Sequence, residues 1–346
     1  MANKMINFRN DYNSPGHPAV LRAVAECAGV KYPGYGTDAA SERARSQIAG
    51  LLGPGRCADI HFLAGGTQVN LTALSAFLRP HEAVIAAHSA HIQVHETGAI
   101  EAVGHKILLA GGGDKVTAGE VRRICRLHTD EHMVKPRLVF ISQSTELGGV
   151  YGLRELADLH AACDELGLLL YLDGARLGVA LTAPGSDAAL SDIAGLCDAF
   201  YIGGTKNGLM FGEALVITNE SLKCDFRYCQ KQRGGLLAKG FLLGIQFGAL
   251  FEGGLYFEIA AHANRMAARL REGLEKLGFT FFVDSRTNQL FPIFHTQAVE
   301  KLAESFMFEI WEKIDGIYTA IRFVTSWNTT EDEVDALLAA CAEMAP

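Results

Sequence analysis

The chain has 346 residues, 49% of them apolar and 20% charged, with a formal net charge of −8. That length can bury a large core and suits one large domain plus a smaller one. The acidic balance and the absence of any basic cluster argue against nucleic acid as a partner, and no apolar run approaches the length of a membrane span.

Eight cysteines are scattered without CxxC spacing, so they read as reduced thiols of a cytoplasmic protein. Met1 to Asn13 holds no apolar core of a secretory signal. Residues 1–18 are polar and end at Pro15-Gly16-His17-Pro18, and a helix starts at Pro18. Tyr32 to Asp38 is a loop, and Asp38 caps a helix over 39–52. The strand 59–64 runs through Gly65-Gly66-Thr67-Gln68 into a helix over 69–78. A strand–glycine–helix junction of this kind suits an anion, because free amides and the helix dipole converge there, although a GGT turn alone is weak evidence.

Strands at 83–87, 106–109, 137–142, 168–172, 199–202 and 214–218 then alternate with helices at 91–102, 117–127, 153–166 and 188–196. Most of these strands are continuous apolar runs, as expected for an α/β fold whose mostly parallel central sheet is flanked by helices. After Asn219 the pattern changes. Gln230 to Gly235 reads as a basic loop, followed by helices at 241–251 and 256–277, strands at 279–283, 289–294 and 320–324, and helices at 297–313 and 330–341. This gives a large domain over 1–250, which includes the opening segment 1–18, and a smaller C-terminal α+β domain over 251–346.

The strand 199–202 ends at Gly203-Gly204, and Lys206 lies just beyond, where open α/β sheets bind their ligands. The preceding strand ends at Asp173-Gly174-Ala175-Arg176, with an acid in place of the base. Pyridoxal phosphate requires that pair: a lysine to bind it and an aspartate to keep the pyridine nitrogen protonated. Desolvation would lower the Lys206 pKa, and the competing reading is an exposed turn lysine. Asp173 alternatively forms a salt bridge with Arg176, and the functional reading turns Arg176 to a substrate carboxylate. His91 and His95 are four apart, a metal-compatible spacing with no third ligand implied; His91 is alternatively placed to lie flat on a planar ring. Arg322, inside an apolar strand, is either a solvent-facing residue or a clamp from the small domain.

Taken together these residues resemble the low-specificity threonine aldolases of the β-eliminating lyase superfamily, fold type I pyridoxal-phosphate enzymes. Phe8-Arg9-Asn10-Asp11 is similar to the family's opening LRSDT-type segment, Tyr35-Gly36-Thr37-Asp38 to its YGED-type loop, and Gly65-Gly66-Thr67 to its SGT phosphate turn. Asp173-Gly174-Ala175-Arg176 resembles DGAR, Lys231 with Gly234-Gly235 the KxxGG loop, and Arg322-Phe323-Val324-Thr325 the RFVT segment.

The resemblance implies pyridoxal 5'-phosphate covalently bound to Lys206, with Gly66 and Thr67 on the phosphate, His91 on the ring face and Asp173 on the ring nitrogen. Arg176 and Arg322 would hold the substrate carboxylate, with Asn10 and Tyr35 also at the substrate. Lys231 would reach the phosphate, often in a neighbouring subunit, so a homodimer or homotetramer with shared sites is expected. No resident metal is expected. There are departures: Gly65 replaces the serine of SGT, Asn10 replaces a small hydroxyl residue, and a third is more important. Ser144-Thr145-Glu146 stands where many members have Asn-Thr-His, so Glu146 takes the place of a histidine near the substrate hydroxyl. The implied activity is retro-aldol cleavage of a β-hydroxy-α-amino acid (threonine, allo-threonine or an aryl analogue) to glycine and an aldehyde, with His91, Glu146 or water as base. β-Elimination and transamination are rivals on the same cofactor, and a metallohydrolase built on His88, His91 and His95 is a rival of another class.

Overall fold

The computed structural model describes residues 5–345. Its centre is a seven-stranded sheet in the spatial order Asp59–Leu63, Glu213–Ile217, Ala199–Gly203, Leu169–Asp173, Lys135–Ser142, Glu82–Ala87, Ile107–Ala110. Only Glu213–Ile217 runs against its neighbours; the other pairings of the sheet are parallel. Every residue of Glu82–Ala87, Leu169–Asp173, Ala199–Gly203 and Glu213–Ile217 is buried. Burial without alternation requires cover on both faces, which the flanking helices supply.

Two glycines bring the strand ends close enough to share a site. A Cβ on Gly174 would lie 1.8 Å from the Tyr201 carbonyl oxygen, and one on Gly203 would lie 2.3 Å from the Ala175 carbonyl oxygen. The segments carrying Asp173 and Lys206 therefore cross with no side chain between them. Register fixes the rest of that edge: Ser142 is opposite Asp173, Gly203 opposite Glu213, and Glu213 opposite Leu63.

A second core lies around the 22-residue helix Leu255–Lys276. Tyr256 and Ile259 belong to the large core, while Met266, Leu270 and Leu274, four residues apart, pack with Phe279, Phe294, Phe323 and Leu337. The opening segment, expected with the large domain, adds Phe8 to this second core. Ile293–His295, Tyr318–Val324 and Glu309–Lys313 form its antiparallel sheet.

Four local expectations are corrected. The helix expected over 297–313 ends at Leu302; Phe306–Met307 and Glu309–Lys313 are strands, because Ile6–Asn7 pairs with the first and Tyr318–Val324 with the second, and those partners satisfy the backbone. The helix expected over 91–102 is two turns, His91–Val94 and Ala99–Ala102, divided where Thr97 and Gly98 both take positive φ (52° and 70°). The segment 279–283 makes only an isolated bridge between Phe281 and Pro292. Residues 230–232, expected in a loop, close the helix Phe226–Gln232.

Candidate active site

Asp173 is 3% exposed at its strand end and is held by neutral donors. Its Oδ1 accepts from the Tyr201 hydroxyl at 2.5 Å and the Ala175 amide at 3.0 Å, and its Oδ2 accepts from Asn70 Nδ2 at 3.0 Å. The alternative salt bridge with Arg176 is not formed, because Arg176 turns to Asp11: Nε meets Oδ2 at 2.7 Å and Nη2 meets Oδ1 at 3.1 Å. Asp11 also accepts from Asn288 Nδ2 at 3.0 Å. The pair uses one edge of the guanidinium and leaves the Nη1–Nη2 edge for a second planar anion.

Lys206 follows the strand Ala199–Gly203 on a tight turn in which the Gly204 and Thr205 amides both reach the Gly212 carbonyl at 3.1 Å. Burial, with the Arg176 charge next, lowers the Lys206 pKa against the opposing pull of Asp11, Glu146 and Asp173. Those influences are Coulombic, and the amine has no hydrogen-bond partner among the described residues. Apart from Asp11 the surrounding charges are ones named from sequence, so Asp173, Arg176, Glu146 and Lys206 are brought together.

His91 joins them. Its Nδ1 lies 2.8 Å from Glu96 Oε1, and Asn70 Nδ2 donates to the same oxygen at 2.9 Å. Burial alone would lower the His91 pKa, but the Glu96 bond and the charges of Glu146 and Asp173 outweigh it and raise it. Donation by Nδ1 leaves Nε2 as the free nitrogen. His88 and His95 are exposed, and among the described residues no group of three or more His, Cys, Asp or Glu side chains is placed to hold a metal ion.

Gly66 opens the 12-residue helix Gly66–Phe77, and the first amide to bond within the helix is that of Val69, to Gly65 O. The amides of Gly66, Thr67 and Gln68 precede it, an anion cradle next to the lysine strand: a Cβ on Gly66 would be 3.1 Å from the Tyr201 hydroxyl.

Residues 7–297 match the β-eliminating lyase family. The chain belongs to this family. It is 34% identical to the low specificity L-threonine aldolase of Pseudomonas sp. (strain NCIMB 10558), with 98% of each chain covered. The corresponding Escherichia coli (strain K12) protein is 29% identical over 69% of this chain and 70% of its own. Among solved structures, Leishmania major threonine aldolase superposes with a TM-score of 0.96 at 45% identity, covering 99% of this chain and 100% of that one. A Thermus thermophilus aspartate aminotransferase variant, 14% identical with a TM-score of 0.71 and covering 99% and 92%, shares the fold. The family and its fold neighbours depend on pyridoxal phosphate, and the donors around Lys206 suit it: an anion cradle, a buried carboxylate without a cation, and an amine without a hydrogen bond.

Four of the residues singled out in this family member are less directly placed. Arg322 is part-buried, stacks over Trp311 at 5.2 Å and donates from Nη1 to Gln289 Oε1 at 3.4 Å, while its buried Nε has no partner among the described residues. Burial and the Arg176 charge lower its pKa. Tyr35 and Lys231 are exposed and pair with each other, Nζ lying 4.7 Å from the ring centre, outside the cluster around Lys206. Asn10 accepts from the Tyr12 amide at 3.2 Å in a local turn, and the neighbouring Asp11 makes the contact with Arg176.

Sequence reasoning missed Asp11, Asn70, Tyr201 and Glu213. Asn70 and Tyr201 carry no charge and look like ordinary helix and strand residues. Glu213 carried a usable signal: it is a lone charge opening the wholly apolar strand Glu213–Ile217.

Proposed function

We propose that this lyase cleaves β-hydroxy-α-amino acids, threonine or allo-threonine or an aryl analogue, to glycine and an aldehyde. The observation that carries the reading is the placing on adjacent strand ends of Asp173, whose hydrogen bonds come from neutral donors, and Lys206, whose amine has no hydrogen-bond partner among the described residues. Lys206 would carry pyridoxal 5'-phosphate covalently, and the cofactor supplies a ring that stabilises negative charge at the substrate Cα. Gly66 and Thr67 would hold its phosphate with their amides, Asp173 its ring nitrogen, and the His91 imidazole its face.

Arg176, through its free edge, and Arg322, through its unpartnered Nε, would grip the substrate carboxylate and fix how the Cα–Cβ bond is presented. His91 Nε2 or the Glu146 carboxylate takes the β-hydroxyl proton; the Cα–Cβ bond then breaks, its electron pair moves to the Cα side, and the β-carbon leaves as an aldehyde. Glu146 acts on His91, Arg176, Arg322 and Lys206 together, which supports its place at the substrate. Asn10 and Tyr35 are proposed to border the substrate. Tyr35 and Lys231 would complete a neighbouring copy's phosphate site, giving a homodimer or homotetramer. The left-handed backbone of Tyr35, φ 61°, is the kind of strain that functional loops retain.

The test is product analysis of the cofactor-loaded protein with L-threonine and L-allo-threonine. Equimolar glycine and acetaldehyde are expected. Ammonia with a 2-keto acid would replace this reading by β-elimination. Lys206→Ala should lose both turnover and the visible absorbance of the bound cofactor.

A further inference from the structure

Glu213 is a buried carboxylate that none of the proposed steps uses. It opens the one antiparallel strand of the central sheet and is paired in register with Gly203 on one side and Leu63 on the other. It therefore sits between the strand that leads to Lys206 and the strand that leads to the Gly66 cradle. Its Oε2 accepts the Gly204 amide at 2.9 Å, and the Thr205 hydroxyl stabilises the carboxylate by hydrogen bonding. The same hydroxyl accepts from the Gly212 amide at 3.0 Å. Both residues that Glu213 grips immediately precede Lys206.

We propose that Glu213 is a positioning residue for Lys206, whose ionised carboxylate clamps the Gly204–Thr205 turn and whose protonation loosens it. Ionised, the carboxylate accepts from both donors as a charged acceptor; protonated, it is a neutral acceptor whose hydrogen bonds are weaker, so the turn is held less tightly. The ionised form also sets a negative charge beside the lysine, and the two titrations are linked. The charges acting on Glu213 are Lys206, which favours its ionised form, and Asp173, which opposes it; Tyr201 of the neighbouring strand and Tyr256 of the helix Leu255–Lys276 are buried groups that feel its charge in turn. Burial dominates and pushes its pKa up from the ordinary 4.5 to about 7, so the change falls in the working range. A carboxylate held for stability alone would not be kept there: a raised pKa means that the folded state is favoured below the ordinary value and loses that advantage as pH rises through about 7.

The inference rests on Lys206 carrying the cofactor, and Glu213→Gln in the holoenzyme tests it. The wild-type rate of glycine formation should fall on the acid side with a midpoint near 7, and Glu213→Gln should lose that limb. In the variant, kcat at pH 8 should fall ~10-fold while KM stays within about twofold, the size of a misplaced catalytic group. The pH midpoint of the bound cofactor's visible absorbance should move to lower pH by about 0.5 or more, because a negative charge next to the lysine has gone. Thermal stability at pH 8 should not drop. If Glu213→Gln does not fold, Thr205→Val serves: it removes one donor to the carboxylate, so the acid limb should move to higher pH. An unchanged acid limb and unchanged absorbance midpoint in either variant overturns the proposal. A wild-type protein that shows no cofactor absorbance at all overturns the assignment of Lys206 instead.

Discussion

Asp11 and Arg176, 165 residues apart in the chain, form a bidentate pair in which the carboxylate is 2% exposed and the guanidinium residue 7%. The contact joins the N-terminal segment, whose Phe8 sits in the second core, to the strand end that carries Asp173. It also decides which edge of Arg176 remains for a ligand.

Breaking this pair should be costly. Burial alone would raise the Asp11 pKa, but the charges of Arg176 and Lys206 and the hydrogen bonds from Arg176 and Asn288 lower it below the ordinary 3.8. A depressed carboxylate contributes stability that is present above its ordinary value and is lost as pH falls through the depressed one. Asp11→Asn leaves Arg176 buried and uncompensated, a change of about 3 kcal/mol or more. A melting temperature lower by several degrees at pH 7 is expected, with a flatter loss of stability in acid; identical melting curves would refute the role.

Tyr201→Phe removes the 2.5 Å hydrogen bond to Asp173 while keeping the ring packed. A loss of about 1 kcal/mol in chemical denaturation is expected. Turnover should fall by ~10-fold or less, since Asp173 keeps its bonds from Ala175 and Asn70. No change in either measurement would mean that the tyrosine only fills space.

The glycines beside the site should respond in opposite ways. Gly174→Ala places a methyl 1.8 Å from a backbone oxygen and has to part the two strand ends, so soluble yield and cofactor binding should collapse. Gly65→Ser meets nothing within 4 Å, and Gly65 caps its helix with no side-chain bond. The serine should raise stability by a few tenths of a kcal/mol, read in a thermal melt, and leave turnover in place.

Glu96→Gln should lower the His91 pKa, followed by NMR titration of the imidazole. A histidine with a raised pKa contributes stability below its ordinary value of 6.5 and loses it as pH rises through the raised one. The variant should therefore be destabilised more at pH 6 than at pH 9. Equal destabilisation at both would show that Glu96 acts only through Asn70.

Much of the site was readable because its chemistry lies at strand ends punctuated by glycine. Lys206 after Gly203-Gly204 and Asp173 before Gly174 carry local signals, since a charge directly after a buried apolar strand has few places to go. The helix expected over 297–313 failed for the opposite reason: Phe306–Met307 and Glu309–Lys313 gain their strand conformation from Ile6–Asn7 and Tyr318–Val324, partners that lie outside the segment. Arg176 reads from the sequence as a clamp for a substrate carboxylate, but its partner in the fold, Asp11, was not visible, because nothing near residue 176 announces residue 11.

The sequence by itself determined the alternation of strands and helices, the two charged strand ends and the glycines that let them approach, because period, charge and backbone freedom are local properties. Only the tertiary structure decided that Asp11 holds Arg176, that Asn70 and Tyr201 hold Asp173, and that Glu213 grips the turn before Lys206. Those contacts join residues far apart in the chain, and each depends on burial and on strand register, which exist only once the sheet has formed.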